Sequence, residues 1–144
     1  MILYLPFIIQ GLIMMVDEFY FHEKRGLPKW EIIGHPLDSL SVLFCYAYLA
    51  FVNPTQTALT VYICLCVFSC LFITKDEWVH KEQCEPLENW LHSLLFILHP
   101  ITFAAAGVLW FEGEHTFLVI QPVIILVFMS YQIIRWSRPW HPQK

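Results

Sequence analysis

Hydrophobic positions fall into five long runs, roughly 2–21, 32–52, 57–75, 89–111 and 116–136. Each is near the ~20 residues that a helix needs to cross the hydrocarbon core of a bilayer. The polar connections between them, 23–30, 53–56, 81–87 and 112–115, are short. Short connections make sequential helices antiparallel neighbours in one compact bundle. Asn53-Pro54 and Glu112-Gly113-Glu114 are turn chemistry. Pro36 and Pro100 each follow a histidine, where they start or kink a helix and loosen the backbone near His35 and His99. The expectation is an all-α integral membrane protein, residues 1–144 forming one transmembrane domain with five helices and no soluble part left over.

Polar residues at the ends of the runs follow a repeated order. The first copy reads Asp17-Glu18-Phe19-Tyr20-Phe21-His22, a turn, then Glu31-Ile32-Ile33-Gly34-His35. The second reads Asp76-Glu77-Trp78-Val79-His80, a turn, then Glu88-Asn89-Trp90-Leu91-His92. Residues three or four apart share a helix face, which pairs Glu18 with His22, Glu31 with His35, Glu88 with His92, and His80 with Glu77 or Asp76. The two copies predict two similar hairpins, standing the same way up and pooling their acids and histidines at one end of a four-helix bundle. The fifth segment lacks the pattern and is expected to pack outside. The repeat is imprecise, since twelve residues separate Glu18 from Glu31 and ten separate Glu77 from Glu88.

Composition agrees with the membrane reading. Hydrophobic residues make up 58% of the chain and charged residues 14%, against about 25% charged in a soluble domain. Mean hydropathy is +0.57. A formal net charge of -4 with no basic run gives no support for nucleic-acid binding. Four of the five cysteines, Cys45, Cys64, Cys66 and Cys70, lie inside apolar runs, so with Cys84 they do not make a secreted disulfide framework. Cys66 and Cys70 share a face of the third segment, where packing accounts for them better than metal binding does. The N-terminal segment has no basic lead or small-residue cleavage site and reads as a retained anchor.

Charge sets the orientation. Five crossings put all eight basic residues, Lys24, Arg25, Lys29, Lys75, Lys81, Arg135, Arg138 and Lys144, on one side. The positive-inside rule makes that side cytoplasmic, with the N-terminus outside and the C-terminus inside. Trp30, Trp78, Trp90, Trp136 and Trp140 lie near the same boundary, as an aromatic belt does.

Carboxylate and imidazole donors together suit iron, manganese or zinc better than calcium. The candidate metal ligands are Glu18, His22, Glu31, His35, Glu77, His80, Glu88 and His92, with Asp17, Asp38, Asp76 and His99 as further ligands or residues that orient them. Asp17 competes with Glu18, and Asp76 with Glu77. The pattern resembles the ferritin-like di-iron carboxylate proteins, in which two helices each give a Glu and two others a Glu-x-x-His pair. Glu77-x-x-His80 matches that pair, whereas Glu18, Glu31 and Glu88 have three residues before their histidine.

The leading expectation is therefore a di-metal oxidoreductase holding two transition-metal ions, iron first and zinc or manganese next. It would act on a lipid, quinone or other apolar small molecule at the cytoplasmic interface. Tyr20, near the expected ligands, is a candidate electron or proton donor or a belt tyrosine. Other readings are a zinc hydrolase, a haem electron-transfer module using a pair such as His35 and His92, a metal transporter or sensor, and a structural subunit. Membrane lipids and a further copy or partner subunit are the expected neighbours. His115 and His141 read as surface residues, and Glu23, Glu82, Glu85, Lys24 and Lys81 as solvated ones.

Overall fold

A computed structural model describes residues 1–137, in which every element is helical and no strand occurs. Arg138, Trp140, His141 and Lys144, which entered the orientation, belt and surface arguments, lie outside the described residues. Five helices follow one another: α1 (Ile2–Arg25), α2 (Lys29–Phe51), α3 (Gln56–Gln83), α4 (Pro86–Phe111) and α5 (His115–Trp136). All five are long and apolar enough to cross a membrane.

The apolar runs underestimate two of these helices. α1 continues to Arg25 and α3 to Gln83, beyond the expected ends at 21 and 75. Hydropathy drops there because Asp17, Glu18, His22, Asp76 and His80 are polar, yet all five are buried inside the protein. Helix ends carry their own chemistry. Gly26 takes φ +73° and donates its N–H to the His22 carbonyl (2.8 Å), which turns the chain out of α1. The Thr55 hydroxyl accepts the Ala58 N–H (3.1 Å) at the start of α3, and Pro86 occupies the first turn of α4.

Two turns of these helices are irregular. Asp17–His22 of α1 is π-helical, and Ile73–Asp76 of α3 is a 3₁₀ turn. π-Turns in α-helices are rare and occur frequently at functional sites.

The apolar core occupies the half of the molecule away from the polar ends. Cys45, Tyr46 and Leu49 of α2 meet Tyr62 of α3, Phe103, Ala106 and Trp110 of α4, and Leu118 of α5. Hydrogen bonds join these packed helices. The Tyr62 hydroxyl donates to the Phe103 carbonyl and the Trp110 indole to the Val52 carbonyl, both at 2.8 Å. Below the core a polar seam ties four helices together. Ser41 meets Ser69 (2.8 Å), Ser69 meets His99 Nε2 (3.1 Å), and Gln10 meets both His99 Nδ1 (3.5 Å) and the Thr102 hydroxyl (2.7 Å).

α1 packs on α4, α2 on α3, and α3 on α4. α5 departs from expectation. It lies along α2 in the most extensive contact of the molecule, and its last turns carry the buried side chains of Gln132 and Trp136 to the polar end. The pattern of the first two hairpins held no sign of this, because α5 supplies hydrogen-bond donors rather than acids and histidines.

Candidate metal centre

Four helices bring one imidazole each to a common end: His22 from α1, His35 from α2, His80 from α3 and His92 from α4. Ring centroids are 4.8 Å apart for His22–His35, 6.5 Å for His35–His80, 4.1 Å for His80–His92 and 6.5 Å for His22–His92. Carboxylates stand between the rings. Asp17 places Oδ2 3.3 Å from His22 Nε2 and Oδ1 3.0 Å from His92 Nε2. Glu31 does the same on the other side, with Oε2 3.9 Å from His35 Nε2 and Oε1 3.7 Å from His80 Nε2. Glu88 Oε1 lies 3.9 Å from His22 Nε2.

These distances group the ligand atoms. Asp17, His22, Glu88 and His92 offer four that lie within 4.8 Å of one another, all from buried residues. His22, Glu31 and His35 form a second group of this kind, and His80, Cys84 and His92 a third. Among the described residues, seven buried side-chain atoms have no hydrogen-bond partner, and all belong to this cluster. They are His22 Nε2, Glu31 Oε1, His35 Nε2, Asp76 Oδ1, both ring nitrogens of His80 and His92 Nδ1. Leaving such a group unpaired costs about 1–3 kcal/mol. Gathered in one place with the carboxylates, these side chains could hold a metal ion.

The π-turn explains the part played by Asp17. Hydrogen bonds from i to i+5 bring residues five apart onto one face, so Asp17 and His22 meet at 3.3 Å. Glu18 then takes a different role from the one expected of it. It lies behind His22, with Oε2 3.3 Å from Nδ1, while the other ring nitrogen faces Asp17 and Glu88. The Trp136 indole donates to Glu18 Oε1 (2.6 Å) and the Gln132 amide to Oε2 (3.3 Å). A carboxylate on the far nitrogen of a ligand histidine fixes its tautomer and raises its basicity.

On α3 the inward residue is Asp76, and the expected ligand Glu77 is exposed and stands apart from the cluster. Asp76 and His80 are four residues apart and both buried, with the 3₁₀ turn delivering Asp76 inward. Lys75 pairs with both Asp76 and Asp38, at 2.7 Å from each. Gly34 makes room for Asp76, since a Cβ there would meet Asp76 Oδ1 at 3.0 Å. His99 stands apart in the polar seam, with both ring nitrogens engaged. Tyr20 is exposed. Cys66 and Cys70 pack against the apolar core.

Sequence reasoning used Arg25 for orientation alone, yet it is part of the site. Its Nη2 donates to Glu31 Oε2 (2.7 Å) and its Nε to Glu88 Oε1 (2.9 Å), bridging α2 and α4. Three residues past His22 and one helical turn on, it shares that residue's face; this spacing was the available signal. Trp136 and Gln132, four apart on α5, were likewise legible as a pair but not as partners of Glu18. Cys84, four after His80, lies 3.6 Å from Arg25 Nη2. Burial pushes its thiol up, with Arg25 opposing and Glu88 and Glu31 adding to the rise. On the exterior, Lys24 pairs with Glu85 and Arg135 with Glu23.

A cleft of about 430 Å³ next to Arg25 is lined by Arg25, Gly26, Leu27, Pro28 and Gln83. An apolar one of about 720 Å³ runs between α3 and α4, from Glu112 to Leu71 and Pro100. No protein-family model matches the chain, and neither a curated protein nor a solved structure matches it.

Proposed function

We propose that the chain is a membrane-embedded oxidoreductase with two iron ions side by side at the cytoplasmic end of its helices, acting on an apolar substrate from the bilayer. One observation carries the reading. Asp17 lies between His22 and His92, and Glu31 between His35 and His80, giving two sets of two imidazoles and one carboxylate. That donor set, with open positions left over, is the one non-haem iron(II) oxygenases use. Glu88, in reach of His22 and bonded to the same guanidinium as Glu31, is suited to the span between the sets.

Charge supports the same conclusion. Asp17, Glu31 and Glu88 are three buried carboxylates, and Arg25 alone bonds two of them. Buried charges are kept when paired or when they coordinate metal. Bound iron would supply the change of oxidation state needed to activate dioxygen. The protein's own residues do the rest: Glu18, Trp136 and Gln132 orient His22, Arg25 aligns Glu31 and Glu88, and Lys75 holds Asp76. The imidazoles face carboxylates rather than a porphyrin-wide slot, and His80 and His92 are 4.1 Å apart, which favours ions over haem.

In the membrane arrangement we propose, the hairpins α1–α2 and α3–α4 stand the same way up and α5 packs along α2. Lys24, Arg25, Lys75 and Arg135 all bond residues at the site end, in keeping with a cytoplasmic position for it. The apolar cleft between α3 and α4 stops at Leu71, about 8 Å along the helix from Asp76. It offers a bilayer-side approach for an apolar chain.

Absorption and Mössbauer spectra of the purified protein test the metal. The expected result is the visible absorption and coupled-iron signature of an oxidised di-iron centre. A colourless protein carrying zinc would replace redox chemistry with activation of water.

A further inference from the structure

Cys84 takes no part in either set of two histidines and a carboxylate, yet its sulfur completes another. It follows the last turn of α3, four residues after His80, and its Sγ lies within 4.8 Å of ring nitrogens of His80 and His92. Both histidines are only 5% exposed. Neither ring nitrogen of His80 has a hydrogen-bond partner, and His92 keeps Nδ1 free while Nε2 meets Asp17. Cys84 itself is half-buried, and Arg25 Nη2 stands 3.6 Å from its sulfur.

We infer that Cys84, His80 and His92 form an alternative docking site for a thiophilic metal ion, one that shares two histidines with the proposed centre and adds a sulfur beside it. One thiolate and two imidazoles select a softer cation than carboxylates do, such as Zn²⁺, Cd²⁺ or Cu⁺. The Cys84 sulfur–metal bond forms as the thiol proton leaves to solvent, and no oxidant or reductant is required. Because His80 and His92 also belong to the two iron sets, an ion held here competes with full loading of the centre. The site is thus a point of entry and of metal discrimination.

Cobalt(II) is the probe, titrated into the purified full chain under reducing conditions. A near-ultraviolet thiolate-to-cobalt charge-transfer band is expected in the native chain. It should be lost in Cys84→Ser, in Cys84→Ala and in His80→Ala, and kept in Cys66→Ser. Uptake without the band, or a band that survives both Cys84 substitutions, would overturn the inference. The two proposals separate through stoichiometry. If the di-iron reading alone fails, the band remains in the native chain but the Cys84→Ser chain takes up no cobalt. If the docking site alone fails, cobalt is taken up without the band.

Discussion

The two halves of the centre look equivalent in sequence and differ in the folded chain. On the α1/α4 side, Asp17 makes a 3.0 Å hydrogen bond to His92, and His22 is backed by Glu18, Trp136 and Gln132. On the α2/α3 side, Glu31 is 3.7 and 3.9 Å from its histidines, and the residue matching Glu18, Glu77, is exposed. Five of the seven unpartnered atoms lie on that second side: Glu31 Oε1, His35 Nε2, Asp76 Oδ1 and both nitrogens of His80. One half is built and braced, and the other is left open. In the di-iron reading we propose, duplicated ligands would supply two ions, and unequal surroundings would give them different work. The braced side suits an ion held permanently, and the open side one that takes oxidant and substrate.

The largest effect expected is from His22, which belongs to both the four-atom group and the group with Glu31 and His35. His22→Ala should lower metal content from about two ions per chain to below one. His80→Ala should leave about one, since it strips only the open side. Equal losses from both variants, measured by elemental analysis, would erase the distinction.

Arg25→Ala comes next. It leaves Glu31 and Glu88 buried without their cation, at a cost of about 3–5 kcal/mol to the metal-free protein. Thermal unfolding in detergent should show the loss, and added metal should recover most of it by neutralising the same carboxylates.

Trp136→Phe keeps the ring and removes the 2.6 Å hydrogen bond to Glu18. Loss of such an outer partner typically weakens metal binding ~10–100-fold. Release to a chelator should accelerate for one ion per chain and not for the other. The smallest effect is expected at α3: Glu77→Gln, an exposed substitution, should change stability by less than about 0.5 kcal/mol. Asp76→Asn should cost more, because it removes the buried one of the two carboxylates paired with Lys75. Matching stabilities for the two would contradict the assignment of Asp76 as the inward residue.

Much of this was legible in the sequence, for reasons that particular residues show. Five apolar runs of about 20 residues announce five helices, because a helix satisfies its own backbone within such a run. Strands would need shorter alternating segments closed into a barrel. Glu31 with His35 and Glu88 with His92 lie on regular α-helix, so four-residue spacing reports their shared face correctly. The pairs at 17–22 and 76–80 were ambiguous because irregular turns decide them. Asp17 and His22 are one residue further apart than Asp76 and His80, and the π-turn absorbs the difference. Without that turn, spacing favours Glu18, the residue that folding puts behind the histidine. Arg25 and Trp136 were hidden by their usefulness elsewhere, as a positive-inside charge and a belt aromatic. Their partners are more than 60 and more than 110 residues away at Glu88 and Glu18, and no local pattern encodes such contacts.

The central claim is that four helices pool their carboxylates and imidazoles around a pair of metal ions. Elemental analysis of the full chain, purified without chelators, tests it most directly. The account predicts about two transition-metal ions per chain, iron in the majority. Fewer than one bound ion per chain would contradict it.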